Sequence, residues 1–181
     1  MLAENAVELQ KVGISSLAFP VDVPEQDSRR LAFSAIYEAM GPPTILIYNA
    51  TVVTRLLPSE LKINTLTRDF ATNVAGALAA VNFVAPDMRA AGRGTILFSS
   101  AGVGLVPDTN WASYSATKAA LRNLSFSIGD ELKRDGIHVA VVTIAGRITH
   151  GTNLDHDRLA EEYWRLHCQE KADWEQELVL R

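Results

Sequence analysis

Three short apolar runs alternate along the chain with two long segments of helical composition. The runs cover residues 44–48, 94–100 and 137–144, and the helical segments between them cover residues 67–91 and 111–135. Because each run is apolar along most of its length rather than at alternate residues, each predicts a strand that is buried on both faces. Strands of this kind that alternate with helices are typical of a parallel sheet. The sequence therefore predicts an α/β fold in which helices cover both faces of the sheet.

Shorter elements are predicted towards both ends of the chain. Apolar residues at helical spacing predict helices over residues 1–11, 29–40 and 157–167. Residues 14–23 and 174–180 are predicted to be strands, because each segment contains an apolar and partly β-branched stretch. No linker or internal repeat separates these elements, so residues 1–181 are expected to form a single domain.

Tyr114 and Lys118 lie four residues apart in a segment that is rich in Ala and Leu and contains no Pro. A spacing of four places both side chains on one helix face, one turn apart. A Lys ammonium beside a phenol stabilises the phenolate, so the pKa of Tyr114 is expected to fall below its usual value of about 10. Tyr114 would then exchange protons near neutral pH. The same spacing also arises by chance in surface pairs, so the pair alone leaves both interpretations open.

Composition and charge argue against several classes of function. The net charge is −4 and no basic cluster occurs, which disfavours nucleic acid and anionic membrane surfaces as partners. The single cysteine, Cys168, allows no internal disulfide, and the histidines show no metal-site spacing, so no bound metal is expected. No apolar run reaches the length of about 18 residues that spans a bilayer, and the first residues lack a signal-peptide pattern. A cytoplasmic location is therefore expected.

Several short motifs surround the Tyr114–Lys118 pair in a characteristic order. They are Asn49-Ala50 after the first apolar run, Asn73 in the first long helix, Ser99-Ser100 at the end of the second run, and Ala145-Gly146 after the third. As a set, from about residue 22 to residue 146, they resemble the short-chain dehydrogenase/reductase family. The resemblance implies a three-layer Rossmann-like fold, NAD or NADP as cofactor, and a small-molecule carbonyl or alcohol substrate.

The resemblance also implies a catalytic role for four residues. Tyr114 would transfer the proton, while Lys118 would lower the pKa of Tyr114 and hold the nicotinamide ribose. Asn73 would kink its helix and hold a water of the proton relay; the alternative is an amide that only packs against the neighbouring helix. Ser100 would hydrogen-bond the substrate carbonyl and stabilise the developing oxyanion.

The assignment of the serine stays open between three alternatives. In the family the serine usually precedes the tyrosine by about thirteen residues, and this count gives Ala101. One additional loop residue would restore Ser100 to the role. Ser99 is the second choice, and the third is that no residue fills the role.

Cofactor-binding positions are implied by the same resemblance. They are Asp22 and Val23 beside the adenine, Asn49 and Ala50 lining the cleft, Lys118 at the ribose, and Gly146 and Ile148 near the nicotinamide. An equally acceptable interpretation of Asp22 is a strand-end residue that caps the following helix. Thr51 and Ala145 depart from the family pattern, which has Gly and Pro at these positions.

The glycine-rich turn that normally holds the pyrophosphate of a dinucleotide is not found in this sequence. Gly13 and Gly41 are the only glycines before Asn73, and neither lies between a strand and a helix in the required pattern. We therefore expect a truncated Rossmann-like domain without the first two strands and the first helix of the family. The strand at residues 44–48 would then be an exposed edge, to be covered either by residues 14–23 or by another subunit.

Two functions follow from these observations. The first is an NAD(P)-dependent oxidoreductase of carbonyl and alcohol groups, with hydride supplied by the nicotinamide. The second is a catalytically inactive, cofactor-free relative that acts as an oligomeric scaffold or binding protein. Under either, a homodimer or homotetramer is expected, because family members pack two long helices, here residues 67–91 and 111–134, against their copies.

Overall fold

The computed structural model describes residues 2–181 and contains one sheet of four strands with helices on both faces. The strands are β1 (Ile45–Tyr48), β2 (Gly94–Ala101), β3 (Ile137–Ile144) and β4 (Glu177–Leu180). The α-helices are α1 (Leu2–Lys11), α2 (Gln26–Met40), α3 (Ile63–Phe70), α4 (Gly76–Ala91), α5 (Ala112–Leu132) and α6 (His156–His167). All neighbouring strands are parallel, in the order β1-β2-β3-β4. The predicted Rossmann-like parallel sheet is thus confirmed.

The two central strands form the core, because β2 and β3 are buried along nearly their whole lengths. Their side chains alternate between the two faces of the sheet. Leu97, Ala140 and Val142 pack with Leu166 of α6. Val139, on the opposite face, lies against Gly129 of α5, where a Cβ atom would be only 3.6 Å from the Val139 Cβ. Helices α5 and α6 therefore cover opposite faces, as the apolar runs predicted.

The first long helix is continuous but not regular. Its sequence predicted a helix over residues 67–91, whereas the backbone is helical from α3 to α4 with a π-helical turn, Ala71–Ala75, between them. Asn73 lies in that turn and is fully buried. Turns of this kind are often found at functional sites, because the extra residue re-aims a side chain.

Contacts divide the chain into two compact units, residues up to Pro42 and Pro43–Arg181, and the predicted single domain stays a prediction. In the first unit, Gly13 and Gly41 follow the C-terminal ends of α1 and α2, and their φ angles are 83° and 76°. The predicted strand at residues 14–23 is wrong, since residues 14–22 have no regular secondary structure and Val23 lies in a turn. The segment is instead tied back to α1, where the Ser16 hydroxyl donates to the Ala6 carbonyl at 2.7 Å.

Strand β1 is an edge strand, because it pairs only with β2 among the described strands. The expectation that residues 14–23 extend the sheet beside β1 is therefore also wrong, because a ladder needs a strand as partner. Ile45 and Ile47 of this edge strand are 38% and 51% exposed. Cover by another subunit remains a prediction for this edge.

Strand β4 is attached to the sheet by a charged cluster as well as by its ladder. Glu177 accepts hydrogen bonds from Arg122 Nε at 2.7 Å, from Arg122 Nη2 at 2.5 Å and from Thr143 Oγ1 at 3.0 Å. The bidentate pair with Arg122 is the largest cause of the lowered pKa of the Glu177 carboxyl. The cluster fixes β4 against α5. The sequence predicted a strand in this part of the chain, over residues 174–180.

Replacing Glu177 with glutamine should lower the free energy of unfolding by about 2 kcal/mol at pH 7, because a charge-assisted bidentate pair is lost. Since the pKa of Glu177 is lowered on folding from its usual 4.5, this stabilisation is present above that value and fades as the pH falls. Urea unfolding at pH 7 and pH 4 measures both effects. The control Glu161→Gln, at an exposed position of α6, should change stability by less than about 0.5 kcal/mol. Equal effects of the two substitutions would contradict the assignment.

Candidate active site

All four strands end at the same edge of the sheet, because they are parallel, and α5 begins beside this edge. Asp108 caps the turn that precedes α5, because its Oδ1 accepts a hydrogen bond from the Asn110 backbone N–H at 2.8 Å. A short 3₁₀ turn, Thr109–Trp111, then leads into the helix. Gly104 allows the preceding loop to lie against α5, because a Cβ atom there would be 3.0 Å from the carbonyl carbon of Lys118. This packing places the first two turns of α5 at the strand ends.

Tyr114 and Lys118 share one face of α5, as their spacing predicted. The Lys118 ammonium lies 5.7 Å from the centre of the Tyr114 ring. Its side chain is only 3% exposed, and its Nζ donates a hydrogen bond to the Ser99 carbonyl oxygen at 2.7 Å. The remaining N–H groups of the ammonium have no described protein partner. Lys118 is therefore a buried cation that is held by β2 and has donors left over.

The pKa values of this pair differ from the sequence-based expectation. Burial lowers the pKa of Lys118 from 10.5 to about 8, because water no longer solvates the ammonium. Burial also raises the pKa of Tyr114 above its usual 10.0, so the expected fall is wrong for the protein without ligands. The reason is that desolvation of the phenolate dominates, while the ammonium hydrogen-bonds the Ser99 carbonyl rather than the phenol. Tyr114 is consequently a phenol at neutral pH.

The pleat of β2 separates the two candidate serines. Ser99 points to the α6 face, where its hydroxyl lies 2.5 Å from the Tyr163 hydroxyl. Ser100 is the next residue and points to the α5 face, the face of Tyr114. The Ser100 hydroxyl is buried and has no described hydrogen-bond partner, which is unusual for a buried polar group. The Ser100 hydroxyl is thus without a described partner, whereas the Ser99 hydroxyl pairs with Tyr163. Ala101 rather than Ser100 lines the cavity beside Tyr114.

The Asn73 side chain is fully engaged by the protein. Its Oδ1 accepts from the Val52 backbone N–H at 2.7 Å, and its Nδ2 donates to the Val52 carbonyl and the Thr117 hydroxyl, both at 2.9 Å. These bonds join the loop after β1 to α5 and use both amide hydrogens. A relay water could accept no further hydrogen from this amide. The Asn73 side chain therefore behaves as the packing alternative expects, since it bonds the neighbouring loop and helix. A water of the proton relay would have to bind through Oδ1 or through the backbone.

Two cavities flank the sheet edge, and the predicted cofactor residues divide between them. A cavity of about 720 Å³, which we call the Tyr114 cleft, is lined by Tyr114, Ala101 and Gly146 together with the loop after β2. A cavity of about 440 Å³ on the α6 face is lined by Asn49, Ile148 and Ser99 together with α6. Ala50 is exposed and belongs to the described lining of neither cavity. The cofactor residues predicted from the sequence thus line different cavities: Gly146 lines the Tyr114 cleft, and Asn49 and Ile148 line the cavity on the α6 face.

Asp22 and Val23 belong to the unit that precedes Pro43 and are described within it. The Asp22 backbone N–H donates to the Ser28 hydroxyl at 2.8 Å, and the Val23 carbonyl accepts from Arg29. The N-cap residue of α2 is Glu25, so the alternative that Asp22 caps this helix is wrong. The adenine role of the two residues stays a prediction.

The described residues fit one end of a dinucleotide. Buried Lys118, with free ammonium hydrogens, and the unpartnered Ser100 hydroxyl are donors that a ribose or a carboxamide could use. Before Asn73, Gly13 and Gly41 each follow a helix, so among residues 2–72 no glycine-rich turn precedes a helix N-terminus. The fit is therefore to the nicotinamide and ribose rather than to the pyrophosphate.

Sequence reasoning missed two pairs that the fold brings together. The Ser113 hydroxyl donates to the buried carboxylate of Asp69 at 2.6 Å, directly before Tyr114 in the chain. The second pair, Tyr163 and Ser99, joins α6 to the end of β2. Nothing in the sequence links residues 44 or 64 positions apart, so no local signal could have found them.

Residues 2–181 contain neither a candidate membrane-spanning helix nor a candidate metal-binding cluster. None of the described helices combines the length and the apolar character needed to cross a bilayer. In the same part of the chain, no three His, Cys, Asp or Glu side chains lie together as they would around a metal ion.

Comparison with known proteins gives consistent matches. The family model described as short chain dehydrogenase matches residues 1–162. The chain is 33% identical over 147 residues to a fluoren-9-ol dehydrogenase of Terrabacter sp. (strain DBF63), a match that covers 71% of this chain and 41% of that protein. It is 28% identical over 156 residues to a 2,5-dichloro-2,5-cyclohexadiene-1,4-diol dehydrogenase of Sphingobium indicum, covering 86% of this chain and 62% of that protein. The chain thus spans less than two thirds of either relative.

Solved structures show the same fold. A metagenomic short-chain oxidoreductase, crystallised with NADP, superposes with a TM-score of 0.89 at 24% identity, covering 99% of this chain and 80% of that one. A short-chain dehydrogenase from Rhodopseudomonas palustris superposes with a TM-score of 0.86, also at 24% identity, covering 99% and 81%. At this identity the likeness concerns the arrangement of strands and helices.

Proposed function

We propose, because the chain belongs to the short-chain dehydrogenase family of oxidoreductases, that it interconverts a carbonyl and an alcohol with NAD or NADP. The substrate would be a small molecule that enters the Tyr114 cleft. The observation that carries the proposal is the Lys118 ammonium, which is buried one helical turn from Tyr114 and held by the Ser99 carbonyl. A buried cation is costly unless its charge is used, so a site that retains one next to a phenol favours catalysis over a scaffold.

In the proposed reaction the residues of this chain move and hold protons. When bound, the nicotinamide would supply or accept hydride. Tyr114, a phenol at neutral pH, would donate its proton to the carbonyl oxygen during reduction and take it back during oxidation. The Lys118 ammonium would stabilise the phenolate that Tyr114 becomes after donation, and would hold the ribose hydroxyls with its free hydrogens. Ser100 would donate to the carbonyl oxygen, where negative charge develops.

Asn73 would support this arrangement from behind the helix. Its hydrogen bond to Thr117 fixes the turn of α5 that lies between Tyr114 and Lys118. The Thr117 hydroxyl in turn lies 3.0 Å from the Tyr114 carbonyl, to which it donates. Asn73 is thus proposed to position the catalytic pair, with any relay water bound through Oδ1 or the backbone.

Titration with NADH and NADPH, followed by nicotinamide fluorescence, tests the proposal directly. We expect saturable binding of at least one cofactor with a dissociation constant of about 1–100 µM. Lys118→Met should weaken this binding about tenfold or more, because charge-assisted hydrogen bonds to the ribose are lost. The control Lys133→Met, at an exposed position, should leave the constant within about twofold. Absence of binding up to about 1 mM would instead support the cofactor-free binding protein.

We also propose that copies of the chain associate as a homodimer or homotetramer through α4 and α5. Leu78 of α4 is 38% exposed, which supports an apolar contact on the outer side of this helix. Sedimentation equilibrium at micromolar protein would show a single monomeric species if the proposal is wrong. The proposed location is the cytoplasm, which cell fractionation would test.

A further inference from the structure

Asp69 of α3 carries a fully buried carboxyl group that the proposed reaction does not use. Its Oδ2 accepts a hydrogen bond from the Ser113 hydroxyl at 2.6 Å, and Ser113 is itself only 1% exposed. Its Oδ1 is also buried and has no described hydrogen-bond partner. Burying a carboxyl group with only part of its hydrogen bonds made costs free energy, so this residue calls for an explanation beyond packing.

The Asp69–Ser113 hydrogen bond has a counterpart one turn further along the same two segments. Asn73 Nδ2 donates to the Thr117 hydroxyl at 2.9 Å, and both of these residues are fully buried. Asn73 follows Asp69 by four residues. Thr117 likewise follows Ser113 by four, so each bond joins residues 44 positions apart. We refer to these two hydrogen bonds together as the double link.

The double link meets α5 immediately before each member of the proposed catalytic pair. Ser113 directly precedes Tyr114, and Thr117 directly precedes Lys118. Because successive residues of an α-helix are about 100° apart around its axis, the linked face and the catalytic face of α5 are neighbours. A rotation of α5 would therefore break the double link and turn the phenol and the ammonium away from their present positions.

Two hydrogen bonds one turn apart hold a helix differently from a single one. One bond leaves the helix free to turn about the point of contact, whereas two bonds on the same face fix its rotation. The rotation matters for catalysis, since a displacement of about 1 Å in a reacting group can cost about a hundredfold in rate.

We propose that Asp69 is a positioning residue of the candidate active site. Through Ser113 it fixes the first turn of α5, and the double link as a whole sets the rotation of this helix about its axis. Asp69 acts through Ser113 rather than on a reacting atom, because the described hydrogen bond of its side chain goes to that residue. The inference rests on the proposed function, because it assigns a further residue to the same site.

The Lys118 ammonium reports the rotation of α5 without any cofactor or substrate. Burial lowers its pKa from 10.5 to about 8, so any turn of the helix that lets water reach the ammonium raises this pKa. NMR of protein labelled with ¹³C at the lysine Cε, recorded between about pH 6 and pH 11, measures the pKa. The spectrum of Lys118→Met assigns the signal.

The variant Ser113→Ala removes one hydrogen bond of the double link and changes no formal charge. We expect the pKa of Lys118 to rise by about 0.5–1 in this variant, because α5 turns and the ammonium gains water.

Ser125→Ala is the matched control, since it removes a buried hydroxyl from the same helix. Ser125 is 2% exposed, and its hydroxyl donates to the Arg122 carbonyl of α5 itself at 2.7 Å. Because this bond reaches no other segment, the pKa of Lys118 should stay within about 0.2 of its value in the unmodified protein.

A second variant combines Asp69→Leu with Ser113→Ala and serves if Ser113→Ala alone does not fold. It leaves no unpartnered polar group at this position, so its urea midpoint should be at or above that of Ser113→Ala. The pKa of Lys118 should again rise by at least about 0.5. Loss of a carboxylate can only lower the pKa of an ammonium, so this rise would not be an electrostatic effect of the substitution.

Other results overturn the inference. An unchanged or lowered pKa of Lys118 in Ser113→Ala or in the double variant would do so, as would an equal rise in Ser125→Ala. Titration with NADH and NADPH is performed separately on the unmodified protein. Absence of cofactor binding would contradict the proposed oxidoreductase function and leave the role of Asp69 in setting the rotation of α5 standing, so the two failures are distinguishable.

Discussion

Replacing Tyr114 with phenylalanine should lower kcat for carbonyl reduction by about 10²–10⁴-fold, the effect typical of losing a positioned general acid. The substitution removes only the hydroxyl, which has no described protein partner and is half-buried. Stability should therefore change by less than about 1 kcal/mol. The affinity for NADH or NADPH should stay within about threefold, because Lys118 rather than the phenol is proposed to hold the ribose. Stopped-flow rates, cofactor titration and urea unfolding of one preparation separate these effects.

Tyr163→Phe is the matched control for this prediction. It removes the same group from a tyrosine on the opposite face of the sheet, where the hydroxyl pairs with Ser99. We expect its kcat to fall by less than about fivefold, since Tyr163 does not line the Tyr114 cleft. A Tyr114→Phe protein that keeps more than about a tenth of the unmodified rate would show that another group supplies the proton. Ser100→Ala and Ser99→Ala extend the comparison, and the larger loss is expected for Ser100.

Lys118→Met should abolish a rise in stability that the unmodified protein shows between pH 7 and pH 10. The pKa of Lys118 is lowered from 10.5 in the unfolded chain to about 8 on folding. Below pH 8 the residue is protonated in both states, so the cost of burying its charge is fully present. Between the two values the unfolded chain binds a proton that the folded chain does not, so stability rises with pH. The rise amounts to about 2.5 kcal/mol by pH 10, and methionine removes it.

Urea unfolding at several pH values measures this rise as the difference between the two proteins, because every other titrating group is common to both. Lys133→Met, which removes an exposed ammonium, should follow the unmodified profile in parallel. If stability changed with pH in the same way in Lys118→Met and in the unmodified protein, the ammonium would have to be solvated in the folded state. That result would contradict the burial of Lys118, which is only 3% exposed.

Most of the sheet could be predicted from local sequence. The apolar runs in β2 and β3 identify strands that are buried on both faces, and helical segments between them permit only parallel connections. The failure at residues 14–23 has a simple physical cause. An extended apolar segment becomes a strand only if another strand supplies its hydrogen bonds, and no local pattern reports whether that partner exists.

The candidate site was predicted in part. The four-residue spacing of Tyr114 and Lys118 fixes their common face in any α-helix, so this relation needed no tertiary information. The direction of the Tyr114 pKa shift was predicted wrongly, because it depends on how much water each group loses. Desolvation is a property of everything that packs around a side chain, including residues distant in sequence.

The sequence by itself thus determined the parallel α/β fold, the family and the Tyr114–Lys118 pair, since each follows from the local order of residues. Only the tertiary structure decided which serine hydroxyl is free and that Lys118 is a buried cation held by the Ser99 carbonyl. These features depend on which strand face meets which helix. They arise from the packing of segments far apart in the chain, which a local pattern does not encode.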